Sequence, residues 1–172
     1  MNILNKRLIT GLAATMLAAI YSQTAFAADA TGNAAANVLA PLSITQNGPG
    51  MNFGSVSGDT ASATTVILTP AGTVSSPDGA FVVPTSGAVP GIFDVIGAPN
   101  AAYDITLPTA AVTLTSGGDT LTVDTFTDDT AGTGTLAPAG TDSFNVGATL
   151  NLGAAQPVGN YTGTFTVTVN YQ

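Results

Sequence analysis

The stretch "DTFTDDTAGTG" places Asp124, Asp128 and Asp129 within a few positions of one another. Carboxylate oxygens this close are hard ligands of the kind Ca²⁺ takes. The spacing is not that of an EF-hand loop, and the bidentate Glu that closes such a loop has no counterpart, because the chain contains no Glu. Asp124, Asp128 and Asp129 are therefore candidate metal ligands, and the reading preferred over a bound cation is a solvated acidic turn.

Other chemistry is restricted by what the chain lacks. It has no His, Cys or Trp, and its only two cationic side chains are Lys6 and Arg7. Beyond them, general acid–base and nucleophilic mechanisms would have to run on Asp, Ser, Thr and Tyr, and no Ser has a His to activate it. The glycines of "NGPGMNFG" and "TAGTGTL" match neither a dinucleotide fingerprint nor a phosphate loop, which would need a Lys, and are read as turn residues. A glycosidase could work with two Asp carboxylates. Its cleft would want aromatic platforms, however, and aromatics make up only 6% of this chain. No enzymatic activity and no cofactor are expected.

The first 27 residues have the composition of a removable leader. "MNILNKRLITGLAATMLAAIYSQTAFA" has a short basic start, an apolar run from Leu8 to Ile20 and the small-x-small signature Ala25-Phe26-Ala27. The apolar run is too short for a membrane span, so no transmembrane segment is expected. Cleavage after Ala27 would leave a chain from Ala28 to Gln172 whose ten acidic side chains are all Asp and which carries no cation. Ion pairs cannot hold such a fold together. Nucleic acid would be repelled, and the absence of Cys leaves no disulfide despite export. The apolar core must supply the stability.

Strand patterns bounded by turn residues run through residues 42–172. "SATTVILTP" is a buried strand stopped by Pro70, and "GTVSSPDGAFVVP" predicts a hairpin turning at Pro77-Asp78-Gly79. "GIFDVIGAPN" and "AYDITLP" follow, the second alternating Tyr103, Ile105 and Leu107. "VTLTSGGDTLTV" predicts a second hairpin through Gly117-Gly118. "SFNVGATLNL" sets Phe144, Val146, Ala148, Leu150 and Leu152 on one face. Finally "YTGTFTVTVNYQ" alternates, with Tyr161, Phe165, Val167, Val169 and Tyr171 on its apolar side. About eight or nine short strands with regularly spaced turns predict an antiparallel β-sandwich. A transmembrane barrel is disfavoured, since most segments are only about five to seven residues against the roughly 9–11 a membrane strand needs.

Residues 28–41 form an arm ahead of this body. Ala34, Ala36, Val38 and Ala40 occupy alternate positions, continued by Leu42 and Ile44, so the arm reads as strand-like. Pro41 breaks it, leaving a first body strand from Leu42 to Gln46. From pattern alone, the arm serves equally well as an edge strand of a self-contained sandwich.

The segments "ANVLAPLSITQ", "MNFGSVS", "GAPNAAYDITLP" and "PVGNYTGTFTVTVNYQ" resemble an uncharacterised family of secreted bacterial domains, related in pattern to the spore-coat-U-like pilins of archaic chaperone–usher systems. The resemblance implies an immunoglobulin-like sandwich that lacks its last strand and is completed by the N-terminal arm of a neighbouring subunit. In that scheme Ala34, Ala36, Val38 and Ala40 belong to the donor arm, and Tyr161, Phe165, Val167, Val169 and Tyr171 to the receiving strand. It further implies export through the periplasm of a Gram-negative bacterium to the cell surface, a homopolymeric filament, and a chaperone and usher as partners. The chain departs from the spore-coat-U pattern in having no Cys and an Ala-rich arm. The expectation is a pilin-like structural subunit, with a self-complete extracellular binding module, for example for glycans, as the alternative.

Overall fold

The structure is a computed structural model that describes residues 27–82 and 87–172. The leader read at residues 1–27 lies, but for Ala27, outside the described residues. Residues 37–172 form one compact unit.

In chain order the strands are β1 (Ser43–Asn47), β2 (Val56–Ser57), β3 (Thr64–Leu68), β4 (Val74–Ser75), β5 (Phe81–Val82) and β6 (Gly91–Ile96). They continue with β7 (Ala102–Thr106), β8 (Val112–Ser116), β9 (Asp119–Asp128), β10 (Thr133–Thr135), β11 (Thr141–Leu152) and β12 (Thr168–Tyr171). The fold is an all-β, antiparallel, immunoglobulin-like sandwich. The twelve strands among the described residues exceed the eight or nine expected because β2, β4 and β5 are two-residue pairings too short to leave a pattern in sequence.

The longest strand, β11, organises the larger sheet. Phe144, Val146, Ala148, Leu150 and Leu152 alternate along it and all five are buried, as the period-2 pattern requires. It pairs with β6 through Thr141–Val146, with β3 through Ala148–Leu152, and with β9 through Val146–Asn151. Gly147 is the one position there that must lack a side chain, because a Cβ would overlap the Leu68 carbonyl. The pairing with β9 slips at this point: two steps on β11, from Gly147 to Thr149, face three on β9, from Thr127 to Asp124. Thr125 takes up the extra residue with φ at +49°. The bulge changes which parity points inward, from Leu121 and Val123 before it to the half-buried Phe126 after it.

A second sheet, in the order β10-β7-β12, covers one end of the first. Phe93 and Val95 of β6, with Phe144 and Val146 of β11, meet Tyr103 and Ile105 of β7 and Leu136 in a single buried cluster. A neighbouring cluster gathers Phe53, Val66, Leu68, Leu121, Val123, Leu150 and Leu152. Tyr103 is fully buried over Gly134, where a Cβ would collide with its ring. Its hydroxyl donates to Asp142 Oδ2 at 2.9 Å. Burial and that carboxylate push the Tyr103 phenol well above its ordinary range.

Three expectations need correction. First, the hairpin read at Pro77-Asp78-Gly79 is a turn without a hairpin, since β4 pairs with β3 and β5 pairs with β2. The turn is tied to β3 instead: Ser76 Oγ donates to the Thr65 carbonyl at 2.7 Å, and Thr65 Oγ1 donates to Asp78. Second, β1 runs from Ser43 to Asn47 rather than Leu42 to Gln46, and the arm before it, described from Ala27, forms no strand. Third, the final strand is laddered only at its ends. Thr168–Tyr171 pair with β7, and Thr162 makes an isolated bridge to Thr115 of β8. Between those points the final segment advances six residues (162 to 168) while the facing chain advances nine (106 to 115), with Pro108 in the gap. Proline has no N–H to give to a ladder, and the three surplus residues bow away.

By contrast, the Gly117-Gly118 hairpin is present. Ser116 faces Asp119 across it and both glycines have positive φ, +61° and +118°, as a two-residue turn of the twist-matched kind demands.

Candidate interaction groove and acidic turn

Among the described residues, no strand pairs with β12 on the side away from β7, nor with β1 on the side away from β6. These two free edges belong to different sheets and approach each other. Leu42 and Ile44 from the first, and Phe165, Val167, Val169 and Tyr171 from the second, are half-buried and pack onto the same cluster around Phe93 and Phe144. The two edges run in opposite directions. At one end Leu42 Cδ1 and Tyr171 Oη both crowd Gly97; at the other Met51 and Phe165 both lie against Gly91. A strand laid between them would therefore run parallel to one and antiparallel to the other.

Tyr171 closes one end of this groove. Its hydroxyl accepts the Ala98 N–H at 2.6 Å and donates to the Ala40 carbonyl at 2.8 Å. Ala40 is the last residue of the arm before Pro41, so the phenol ties the root of the arm to the body. From there outward the chain is in solvent: Val38 is 91% exposed, and Ala34, Ala36 and Ala40 are exposed as well.

Tyr161 stands apart from the row to which alternation assigned it. It packs with Leu114 and Val56 against the cluster around Leu121 and Leu150, and its hydroxyl donates to the Pro157 carbonyl at 2.8 Å. The apolar row thus splits between two clusters, because Thr162 is held by β8 while Thr168 is held by β7.

The acidic turn is built from separate hydrogen bonds. Asp128 Oδ1 accepts from Thr130 N at 2.8 Å, Thr130 Oγ1 at 2.7 Å and Gly132 N at 2.9 Å, shaping the turn between β9 and β10. Burial alone would raise its pKa. The donors from Gly132 and Thr130 outweigh that and hold the carboxyl below its ordinary value. Asp129 accepts from Asn145 N and Nδ2 at 2.9 and 3.0 Å, while Asp124 accepts from Asn151 Nδ2 at 2.9 Å. The three carboxylates serve three different neighbours, and no group of three or more potential metal ligands gathers among the described residues.

Residues 42–171, from the start of the groove's first edge to Tyr171 on its second, match a family described as Domain of unknown function (DUF4402). The chain belongs to that family. No curated protein and no solved structure matches the chain. The DUF4402 match takes in β1, β12 and the whole groove between them and begins just after Pro41, so the exposed arm lies outside it. Among the described residues of this DUF4402 protein, no helix is long and apolar enough to cross a membrane.

Sequence reasoning missed Ala98, Gly97 and Leu42 as groove residues. Gly97 and Ala98 lie in the "GAPN" turn after β6, and nothing local indicates that a tyrosine from the far end of the chain needs the space above Gly97.

Proposed function

We propose that this chain is a non-enzymatic structural subunit, exported and assembled on the cell surface by strand exchange: the arm of one copy, Ala34 to Ala40, fills the groove between β1 and β12 of the next. One observation carries the reading, namely two sheet edges, unpaired among the described residues, facing each other across a half-buried apolar row, with an exposed arm that forms no strand rooted at one end of it. A free edge is a liability that soluble proteins blunt with Lys or Pro, and β12 offers neither. Pairing it with a neighbour's strand satisfies its backbone and leaves the neighbour's own groove open for another copy, so the contact repeats head to tail. The resemblance to spore-coat-U-like pilins points the same way, with a periplasmic chaperone and an usher as the expected handlers.

Lengths and charge agree with this occupant. The arm from Ala34 to Ala40 and the receiving segment from Phe165 to Tyr171 are each seven residues, about 23 Å when extended. Residues 30–41 carry no charge, so they can approach a body whose only charges are negative.

Electron microscopy of the exported protein tests the proposal, together with deletion of residues 28–40. Filaments from the full chain, none from the deletion variant, and binding of an added arm peptide by that variant are the expected set. A full-length protein that stays monomeric at high concentration, with a deletion variant that unfolds and is not restored by peptide, would show the arm to be an in-chain strand.

A further inference from the structure

Resting on the strand-exchange reading, we infer that the groove selects its occupant by size: it takes a strand of small side chains, and Phe165 is the residue that sets the limit. The floor of the groove is already filled from within. Phe165 meets Phe93 edge-on with ring centroids 6.0 Å apart, and lies tilted against Phe126 at 5.1 Å. Phe93 in turn stacks on Phe144 at 5.6 Å. These four rings form a continuous row from β11 through β6 to the final segment and on to β9. Where a strand is missing from a sandwich, its inward side chains would ordinarily complete the core. Here aromatic rings of the subunit itself occupy that layer, and Val167 and Val169 continue the cover toward Tyr171.

The arm has the complementary shape. Its even positions are Ala34, Ala36, Val38 and Ala40, so three of the four inward candidates carry a single methyl group. An arm of this kind gains little from filling cavities. Its attachment comes mainly from backbone hydrogen bonds along the edge of β12 turned away from β7, to which small side chains are no obstacle. Bulky residues at the same positions would have to displace the Phe165 ring, and overpacking a filled layer is unfavourable.

Filament growth of the full-length exported protein, followed by light scattering, tests this. Replacing Ala34 and Ala36 together by Leu should slow growth roughly tenfold or more, an overpacking effect. Adding Phe165→Ala to that protein should restore growth to near the wild-type rate. Phe165→Leu, a milder truncation, should restore it in part and guards against a folding defect, which circular dichroism of the monomer would reveal. Growth of the Ala34/Ala36→Leu protein at or above the wild-type rate overturns size selection. So does slowing that neither Phe165 variant relieves. Absence of filaments from the wild-type chain overturns the strand-exchange reading itself, and the selection rule with it.

Discussion

Tyr171 and Ala40 are joined by a 2.8 Å hydrogen bond across 131 positions of sequence, and the same phenol receives the Ala98 N–H at 2.6 Å. Both bonds pass through one oxygen. Tyr171→Phe keeps the ring and removes the hydroxyl, which leaves the Ala98 amide without its partner and frees the Ala40 carbonyl. A loss of about 1–3 kcal/mol is expected in urea titration. Gly97→Ala should reproduce it, since the added Cβ would overlap Tyr171 Oη and lie 2.9 Å from both Leu136 Cδ1 and Leu42 Cδ1. An unchanged midpoint in both variants would show that the phenol merely rests there.

Phe144 and Phe165 belong to one aromatic row but differ in burial, the first 1% exposed and the second only half-buried. Phe144→Ala should therefore cost about 3–5 kcal/mol, the range for truncating a fully buried Phe. Phe165→Ala should cost clearly less, and Thr164→Ala, on the exposed side, less again. Equal losses at the two Phe positions would mean that the groove floor is as well packed as the core.

Stability should be flat through the neutral range, because the chain contains no His or Cys to titrate there. It should fall on both sides. The Asp128 carboxyl is held below its ordinary value in the folded state, so the unfolded chain takes up its proton first, and stability drops as pH falls below about 4. Tyr103 works in the opposite sense. Its folded phenol is raised, so above about pH 10 the unfolded chain gives up the proton more readily and stability drops again. Melting temperatures across pH for Asp128→Asn decide the first limb, which should flatten.

Nine carboxylates and no cation lie between residues 42 and 172, so every long-range electrostatic pair in the body is repulsive. Raising NaCl from low to physiological concentration should raise the melting temperature. On the strand-exchange proposal it should also speed filament growth, since two bodies of like sign must approach for exchange. A melting temperature that fell with salt would require favourable charge pairing that this composition cannot supply.

The sequence showed β11 and the β8–β9 hairpin plainly because each is governed by local rules: strict alternation in Phe144–Leu152, and two adjacent glycines at the only kind of turn that matches strand twist. The inward parity of Phe126 was hidden, since it depends on a bulge at Thr125 created by the facing strand. Alternation also ran unbroken through Tyr161–Tyr171. What divides that segment is the surplus of residues around Pro108 on the opposite chain, which no window along the segment itself contains. In the groove, Phe165, Val167, Val169 and Tyr171 were legible as one face, whereas the meeting of Tyr171 with Ala98 and Ala40 could come only from three-dimensional closure.

That closure also bears on how quickly the chain can fold. Ser43 seeks Ile96, Thr149 seeks Ile67 and Thr168 seeks Thr106, so β1, β11 and β12 each wait for partners more than fifty residues away. Among the described residues, the β8–β9 hairpin and the β3–β4 pairing, where Leu68 faces Val74, are local, whereas the pairings of β6 with β1 and β11 and of β3 with β11 must first overcome the entropy of a long loop. Refolding from urea should accordingly take milliseconds to seconds rather than microseconds. During that interval the edges of β1 and β12 are exposed before either sheet is complete, which is the stage at which the chain is most open to pairing with another copy of itself.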